Sequence, residues 1–375
     1  MSLARATLLY EWRRFLPGLL SVAFAGVLML VQLGLLLGMF GTVTVLIDQS
    51  DANLWVTSPE TESFDQSRDV PASLGALLRL HPAVTRSETL QVHDADWRSG
   101  DDTRVAVTLV GLQPSADALA CPQPMRAELC ARLAESAAVV IDRGEAGKLH
   151  TAVGRLAEVN GHRVRVVGLS SGLRSIGNTY VFASTQTARE LSEPSATGED
   201  LATFILARAR SDAPEAVRND LQTMLRRPSY RIWTGREFSL HSQQWWLTES
   251  GVGAGFLFSS LLGLVIGIVI TSQTLRGVIL STLREYATFR AIGVPAAKLS
   301  AVVLEQSMWI GLLGALLTVI VSVLANALAQ ALYVPLVLTW WAMLAAVLIG
   351  LLTAIVSGLL ALRELYRLQP AELLR

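Results

Sequence analysis

Long stretches without a charged residue divide the chain into apolar segments separated by polar ones. Three such stretches cover residues 15–47, 250–275 and 306–362. Because a helix needs about 20 apolar residues to cross a bilayer, the first two stretches predict one spanning helix each. The third stretch can hold two helices, and Pro335 favours a turn between them because proline interrupts helical hydrogen bonding. The pattern therefore predicts an α-helical membrane protein with four transmembrane helices.

These stretches also predict how the chain is organised. Residues 40–47, at the end of the first stretch, are rich in β-branched side chains and are interpreted as a stalk. In chain order, the predicted segments are an N-terminus (1–16), a first transmembrane helix with its stalk (17–47), an outer domain (48–249), a second helix (250–275), an inner loop with a short helix (276–299), two more helices (300–332 and 337–362) and a tail (363–375).

The positions of arginine and lysine predict the orientation in the membrane. The N-terminus, the 276–305 region and the tail together carry 10 basic and five acidic residues, whereas residues 48–249 carry 21 basic and 26 acidic residues. Basic residues favour the cytoplasmic side of a membrane. Both termini are therefore predicted to be cytoplasmic, with residues 48–249 outside.

The outer segment alternates between strand-like and helix-like patterns. Alternating apolar residues at 88–97 and 103–112 predict two strands, and Asn160-Gly161 predicts a tight hairpin between two more. Helix-like runs follow later strands at 187–191 and 214–225, where Asp212 is a plausible cap. Mixed order of this kind predicts one large extracytoplasmic α+β domain between the first and second transmembrane helices.

Overall composition agrees with a membrane protein. Hydrophobic residues make up 51% of the chain and charged residues only 17%, compared with roughly 25% charged residues in soluble domains. The mean hydropathy is +0.44. The formal net charge is zero, so nothing in the overall charge favours nucleic acid as a partner; the lipid bilayer is the expected environment.

The two cysteines, Cys121 and Cys130, both lie in the predicted outer domain. An oxidising compartment permits a disulfide between them, and the alternative is a pair of buried free thiols. Their spacing and the absence of a nearby histidine argue against zinc, so no metal site is predicted.

Pairs of glycines occur at helix-packing spacing in the apolar segments. Such pairs let two helices approach closely, either at a subunit interface or within one chain, and the sequence leaves both possibilities open. An incidental occurrence of glycine in a membrane helix is a third. The pairs are Gly34/Gly38, Gly251/Gly255 and Gly263/Gly267.

Patterns typical of enzymes are nearly absent. Residues 168–172 match G-x-S-x-G, but the residues that follow do not predict the helix that a nucleophilic Ser170 needs. A hairpin connection is the preferred interpretation, and a membrane-anchored hydrolase is a minor alternative. The sequence contains no G-x-x-x-x-G-K-[ST] pattern, so this chain is not expected to be an enzyme or to hold a cofactor by itself. ATP-driven work would need another chain.

The inner loop carries a distinctive amphipathic segment. Residues 281–292 suit a short helix, Gly293 suits its C-terminal turn, and Pro295 can open the next helix. The segment is interpreted either as a connector on the membrane surface or as a docking element for a cytoplasmic partner. The candidate residues are Leu283, Arg284, Glu285, Tyr286, Phe289, Arg290, Ala291, Ile292 and Gly293.

Residues 284–293 resemble the R-E-[IY]-[AG]-x-[LF]-[RK]-A-[IL]-G signature of FtsX/MacB-type ABC transporter permeases. Residues 367–375 are similar to the closing R-x-x-P-x-x-x-L-R pattern of that family. The order of one span, a large outer domain and three further spans also matches. The chain length, the strand at 53–56 and the lack of a fused ATPase are most similar to the DevC-like branch.

The resemblance implies partners and a mechanism. It implies a homodimer, or a heterodimer with a similar permease, that binds separate ATPase subunits carrying ATP and Mg²⁺ in a bacterial inner membrane. ATP-driven closure would move the inner helices, and the first two spans would transmit this motion to a porter-like periplasmic domain. A periplasmic adaptor and a TolC-type outer-membrane duct are the expected further partners. The alternative within the family is an FtsX-like regulator of cell-wall hydrolases.

Overall fold

The computed structural model describes residue 10 and residues 12–125, 127–175, 178–192, 200–210, 214–224, 230–281, 295–332 and 334–367. Contacts within the chain separate it into two units. We call residues 1–38 and 252–375 the helical unit and residues 39–251 the sheet unit. The boundary after Gly38 falls inside the first long helix.

Helices account for the whole described part of the helical unit except Pro295, Leu332 and the 334–339 connection. The described α-helices are α1 (Trp12–Val43), α2 (Val45–Asp48), α3 (Leu74–Leu78), α4 (Ala127–Arg132), α5 (Thr185–Leu191), α6 (Pro214–Met224), α7 (Gly235–Thr248), α8 (Val252–Ser281), α9 (Ala296–Ala331) and α10 (Trp340–Arg367).

Four of these helices are long and apolar enough to span a bilayer, with apolar stretches at Phe15–Val43, Val252–Thr274, Ser300–Ala331 and Trp340–Leu359. This confirms the prediction of four apolar helices with a large domain between the first and second. The helices α8, α9 and α10 extend beyond the predicted segments because charged residues end an apolar stretch without ending a helix.

The sheet unit contains all the described strands. They are β1 (Leu54–Thr57), β2 (Val70–Pro71), β3 (Val84–Arg98), β4 (Arg104–Leu112), β5 (Ala138–Asp142), β6 (Leu156–Val159), β7 (His162–Ser170), β8 (Thr179–Ser184), β9 (Leu201–Ala202), β10 (Phe204–Ala209) and β11 (Arg231–Thr234). Nine of them form one sheet in the order β11-β1-β10-β3-β4-β8-β5-β7-β6, and β2 pairs with β9. The α+β prediction is therefore confirmed.

One lobe of the sheet unit has a β-α-β-β-α-β arrangement. Its antiparallel sheet runs β11-β1-β10-β3, and helices α3 and α6 follow β1 and β10 respectively. This is the order of a split β-α-β or ferredoxin-like fold. Apolar residues of both helices and of the sheet share one core, including Leu74, Leu78, Ile205, Val217 and Leu221.

The other lobe is a small closed barrel inserted between β3 and β10. Strands β3, β4, β8, β5, β7 and β6 pair in that order, and the last residues of β3 return to pair with β6 through Trp97 and Val159. Alternating residues fill the interior, among them Trp97, Leu109, Val139, Val166 and Val181, each fully buried. Because β3 has 15 residues, it serves as the second strand of the first lobe and also closes the barrel.

Two local predictions were wrong. Residues 45–47, interpreted as a stalk, form helix α2 and are buried in the core of the sheet unit with Trp55 and Phe238. Residues 168–170, interpreted as a hairpin connection, continue strand β7 and pair with β5. In both cases apolar contacts that are distant in sequence determine the conformation, and local propensity could not report them.

Candidate functional site where the chain enters and leaves the sheet unit

Helices α1 and α8 are interlocked along much of their length in the helical unit. A Cβ atom added to Gly263 would meet Leu28, one added to Gly267 would lie 2.6 Å from Cβ of Ala25, and one added to Gly18 would lie 3.2 Å from Thr274. These positions follow one antiparallel register. Glycine at the contact lets the two backbones approach closely, as in other membrane helix pairs.

Polar side chains join the same two helices at both ends of this contact. The hydroxyl groups of Ser21 and Thr271 are 2.6 Å apart. The Gln32 amide donates to Oγ of Ser259 at 2.9 Å. Hydrogen bonds between membrane helices contribute roughly 0.6 kcal/mol each on average, so they fix register more than they add stability.

The connection between α9 and α10 packs on α1 at Gly34 and Gly38. The backbone N–H of Val337 donates to the carbonyl of Gly34 at 3.1 Å. A Cβ at Gly38 would collide with the carbonyl of Pro335. Two of the three predicted glycine pairs therefore pack within one chain, whereas Gly255 faces open space.

In the sheet unit, the segment that follows α1 packs against the helix that precedes α8. Helix α2 lies against α7. The Gln243 amide donates to the hydroxyl of Thr44 at 3.3 Å, and that hydroxyl donates to Oδ2 of Asp48 at 2.7 Å. Thr44 is fully buried. We call residues 40–48 together with α7 the junction.

Aromatic side chains anchor the junction to the sheet. Phe238 of α7 contacts Trp55, Phe204 and Trp233, with ring centroids 5.6–6.1 Å apart. Phe64 stacks on Phe204, and its backbone N–H donates to Oγ of Ser242 at 3.1 Å. Trp55, Phe204 and Phe238 have no exposed surface. A displacement of α7 must therefore disturb β1 and β10 as well, because close-packed cores transmit strain.

The start of α7 is fixed by a capping box. The Thr234 hydroxyl accepts from the N–H of Glu237, and the Glu237 carboxylate accepts from the N–H of Thr234. Arg218 of α6 also binds that carboxylate. Burial acts to raise the pKa of Glu237, but these hydrogen bonds and the Arg218 charge outweigh it and hold the pKa below its usual value.

A histidine lies beside this cap. His241 stacks on Trp233 with ring centroids 4.7 Å apart, and the Arg231 guanidinium lies 4.1 Å from the same indole. Burial lowers the pKa of His241, and the positive charge of Arg231 lowers it further. This side chain is therefore neutral over a wider pH range than a free histidine.

Several junction residues were absent from the sequence predictions. The Thr234-x-x-Glu237 pattern is a recognised signal for a helix start, and it predicts α7 when applied to this region. Outside the junction, Gln32 of the α1–α8 contact stands out in the sequence as one of the few polar residues in the first apolar stretch. Thr44 and Gln243 carry no such signal, because their pairing depends on chain segments almost 200 residues apart.

The predicted coupling-helix residues, 283–293, lie outside the described part of the chain. So do Asp212 and most of the tail motif, residues 368–375. Their roles remain predictions.

The two cysteines lie together at the core of the sheet unit. Cys121 and Cys130 are joined by a disulfide, with Cα atoms 6.2 Å apart. Cys130 is fully buried in the core that contains Leu119, Met125 and Leu133. The bond links the segment that contains Cys121 to helix α4, which carries Cys130. Its presence in the purified protein is a prediction for mass spectrometry.

The G-x-S-x-G segment has no catalytic geometry. Ser170 is 3% exposed, and its hydroxyl donates to the carbonyl of Ile141 at 3.3 Å. A nucleophile must instead be exposed at a sharp turn before a helix. Among the described residues, no group of three or more His, Cys, Asp or Glu side chains is arranged to hold a metal ion.

Comparisons with known protein families cover both units. Residues 19–224 match the family model of the MacB-like periplasmic core domain. Residues 257–370 match the model of the FtsX-like permease C-terminal region. No curated protein matches the chain closely enough to count as a relative.

Two solved structures are similar to part of the chain. The periplasmic region of MacB from Actinobacillus actinomycetemcomitans is 13% identical, with a TM-score of 0.37, over 51% of this chain and 92% of that one. The extracellular domain of the ABC-type transporter YknZ from Gram-positive bacteria is 14% identical, with a TM-score of 0.33, over 49% of this chain and 100% of that one.

The family predicted from residues 284–293 is thus confirmed, whereas the DevC-like branch remains a prediction. The periplasmic core model alone spans more than half of the chain, and the permease model covers the inner loop and the last two long helices. The chain therefore belongs to the FtsX/MacB-like family of ABC transporter permeases, as a membrane subunit with a MacB-like periplasmic domain between its first and second apolar helices.

Proposed function

We propose that this permease transmits ATP-driven motion from separate ATPase subunits to its sheet unit, as the membrane part of an export complex. In this proposal the termini and the 282–294 loop are cytoplasmic in a bacterial inner membrane, and the sheet unit is periplasmic. Two copies form a homodimer of the DevC-like type. A periplasmic adaptor and an outer-membrane duct complete the export path, while ATP and Mg²⁺ bind to the ATPase subunits.

The interlocked α1–α8 pair is the observation that carries this proposal. Contacts at Gly18, Ala25 and Leu28 and the two polar contacts follow a single register. Helices joined at so many levels move together more easily than they slide, because sliding would separate all the contacts at once. In the sheet unit, the chain leaving α1 and the chain approaching α8 meet again through Thr44 and Gln243.

The force would enter this pair through the inner loop that follows α8. Tyr286 and Phe289 would fill a cleft on the ATPase, because aromatic side chains are frequent anchors of protein contacts. Arg284, Glu285 and Arg290 would form the polar rim of that contact, and Gly293 would allow the turn into α9.

The test is Phe289→Ala combined with Arg290→Glu in the full chain, reconstituted with its ATPase. We expect a folded permease that binds the ATPase weakly and does not respond to adaptor or substrate with faster ATP hydrolysis. Pull-down and hydrolysis rates measure both effects. A matched control is Leu80→Ala combined with Arg79→Glu, which makes the same kind of change at exposed positions of the sheet unit.

Wild-type binding and stimulation in the Phe289/Arg290 variant would show that the loop is only a surface connector. If the control variant loses stimulation equally, the loss does not report docking. Stimulation by a cell-wall hydrolase in place of an adaptor would support the regulatory alternative instead of export.

A further inference from the structure

The nine-stranded sheet has one open edge among the strands that the structure describes. At one end of the sheet, β6 pairs back onto β3 and closes the barrel. At the other end, β11 pairs with β1 on one side only. An edge of this kind presents backbone N–H and C=O groups that can take up a strand from another molecule, so folded proteins usually protect it.

Helix α6 lies beside this edge and contributes a side chain to it. Val217 and Leu221 of α6 share a core with Ile232 of β11. The Gln222 side-chain amide donates to the carbonyl of Tyr230 at 3.1 Å, and its oxygen accepts from the N–H of Ile232 at 3.0 Å. One side chain therefore binds the backbone groups on both sides of residue 231.

These two hydrogen bonds reproduce the pattern of a parallel β-ladder. In such a ladder, one residue of the neighbouring strand donates to the carbonyl before the opposite residue and accepts from the N–H after it. The Gln222 amide makes the same two bonds around Arg231. A helix side chain thus takes the place of one residue of a further strand.

The other N–H on the open side of β11 is also bound by a side chain. Backbone groups of a strand point alternately to its two sides, so Thr234 turns its N–H to the same side as Ile232. That N–H donates to the Glu237 carboxylate at 3.0 Å. Arg218 of α6 binds the same carboxylate, which links α6 to the start of α7. Both outward-facing N–H groups of β11 are therefore occupied.

Without this cover, β11 would suit pairing with another copy of itself. Ile232, Trp233 and Thr234 belong to the residue types that are enriched in strands. Main-chain hydrogen bonds supply the affinity when a strand is added to a sheet, so the pairing makes few demands on side chains. Every copy of the permease carries the same edge, and insertion in one membrane brings copies close together.

We propose that Gln222 and Glu237 keep the open edge of the sheet closed to strand pairing with a second copy of this chain. Gln222 is the central residue, because its amide occupies the carbonyl of Tyr230 and the N–H of Ile232 at once. Glu237 also caps α7, so a change there would disturb the helix as well as the edge. Gln222 is therefore the residue to replace.

The test uses the full chain, purified in detergent micelles, with Gln222→Met. This variant keeps a long, unbranched side chain but lacks the amide. Sedimentation measures the mass over a range of protein concentrations, and the weight-average mass should rise at least about twofold above that of wild type, because each open edge recruits a further copy. Hydrogen exchange of residues 230–234 should be faster than in wild type when the variant is dilute, and slow again when it is concentrated.

A second variant separates exposure of the edge from loss of stability. Gln222→Lys also removes the amide, but it places a positive charge on the edge, and charged side chains there oppose strand pairing. This variant should keep the wild-type mass. The matched control is Gln186→Met in α5, where an exposed glutamine donates to Glu190 at 3.2 Å away from the edge. It should also leave the mass unchanged.

A wild-type mass for Gln222→Met at every concentration would overturn the proposal. Equal association of Gln222→Lys or Gln186→Met would do the same, since loss of an amide would then act through general destabilisation. Association that leaves residues 230–234 unprotected would place the contact elsewhere and would also overturn it. None of these measurements involves the ATPase, so the outcome is independent of the proposed transmission of motion.

Discussion

In the sheet unit the largest side chains are the most deeply buried, whereas in the helical unit many large side chains face outward. Trp55, Trp97 and Phe238 have no exposed surface, but Leu257 and Phe258 of α8 are 72% and 64% exposed. Many contacts between the long helices instead place a glycine, alanine, serine or threonine of one helix against the side chain of another. Removal of apolar surface from water therefore stabilises the sheet unit, while close fit at small residues determines packing in the helical unit.

This difference predicts opposite sensitivities in the two units. Loss of volume should damage the sheet unit, whereas gain of volume should damage the helical unit. The largest effect is expected for Phe238→Ala in α7, because that side chain packs against Trp55, Phe204 and Trp233. The expected cost is about 3–5 kcal/mol of unfolding free energy. Denaturant-dependent hydrogen exchange of the peptide containing β1 measures it.

Leu240 on the same helix is the matched control, since it is 56% exposed. Leu240→Ala should change the unfolding free energy by less than about 0.5 kcal/mol. Equal effects of the two variants would show that α7 is not anchored through Phe238.

The disulfide should contribute somewhat less to the unfolding free energy than the Phe238 side chain does. Replacing Cys121 and Cys130 by alanine opens a link between residues nine apart in sequence. A loop of this size corresponds to roughly 3 kcal/mol in the unfolded-chain model. Mass spectrometry without reductant should first find the linked peptides, and two free thiols in freshly isolated protein would contradict the bond.

In the helical unit, adding volume is the informative change. Gly38→Leu should destabilise the packing of α1 on the 334–339 connection by about 1–3 kcal/mol, because the new Cβ meets the carbonyl of Pro335. Gly255→Leu should be tolerated, since open space surrounds that position. Thermal unfolding in detergent micelles compares the two.

If Gly255→Leu is as damaging as Gly38→Leu, then the α8 surface at Gly255 contacts a second copy of the chain. That result would assign this glycine pair to a subunit interface. For Gly255, the comparison therefore separates a subunit interface from an incidental glycine, two of the three interpretations that the sequence leaves open.

The smallest predicted effect concerns the cap of α7. The pKa of Glu237 in the folded protein lies below its ordinary value of 4.5, so the folded state favours the carboxylate. The stability that the Glu237 carboxylate contributes is present above about pH 4.5, and it is lost as the pH falls through the pKa of the folded state. Glu237→Gln should cost about 1 kcal/mol at neutral pH, a modest amount because the side chain is 35% exposed.

The cost of Glu237→Gln should shrink below pH 4.5, where wild type also loses the charge. Glu215→Gln, at an exposed position of α6, should change stability little at either pH. A cost of Glu237→Gln that does not depend on pH would mean that the carboxylate charge is unimportant for the cap.

The sequence predicted individual helices and strands correctly where the local pattern of residues was strong. Charge-free stretches identified the four apolar helices, and alternation identified β3 and β4 closely. It did not predict the barrel, because closure depends on Trp97 meeting Val159, which lies 62 residues further along the chain. The junction was missed for the same reason, since residues 40–47 were interpreted locally as a stalk, while the side chains of residues 45–47 are buried in the core of the sheet unit.

The central claim is that α1 and α8 move as one body. It can be tested by cross-linking Leu28→Cys to Gly263→Cys, because a Cβ at position 263 would lie 3.8 Å from Cβ of Leu28. That spacing suits a disulfide. The controls are the two variants that carry one new cysteine each, reduced in the same way so that any effect of opening the Cys121–Cys130 bond is seen in them as well. Stimulated ATP hydrolysis by the reconstituted complex is the readout. If α1 and α8 move as one body, the cross-linked permease keeps its stimulation. Loss of stimulation that returns on reduction in the double variant alone would show that the helices separate during the cycle and would contradict the claim.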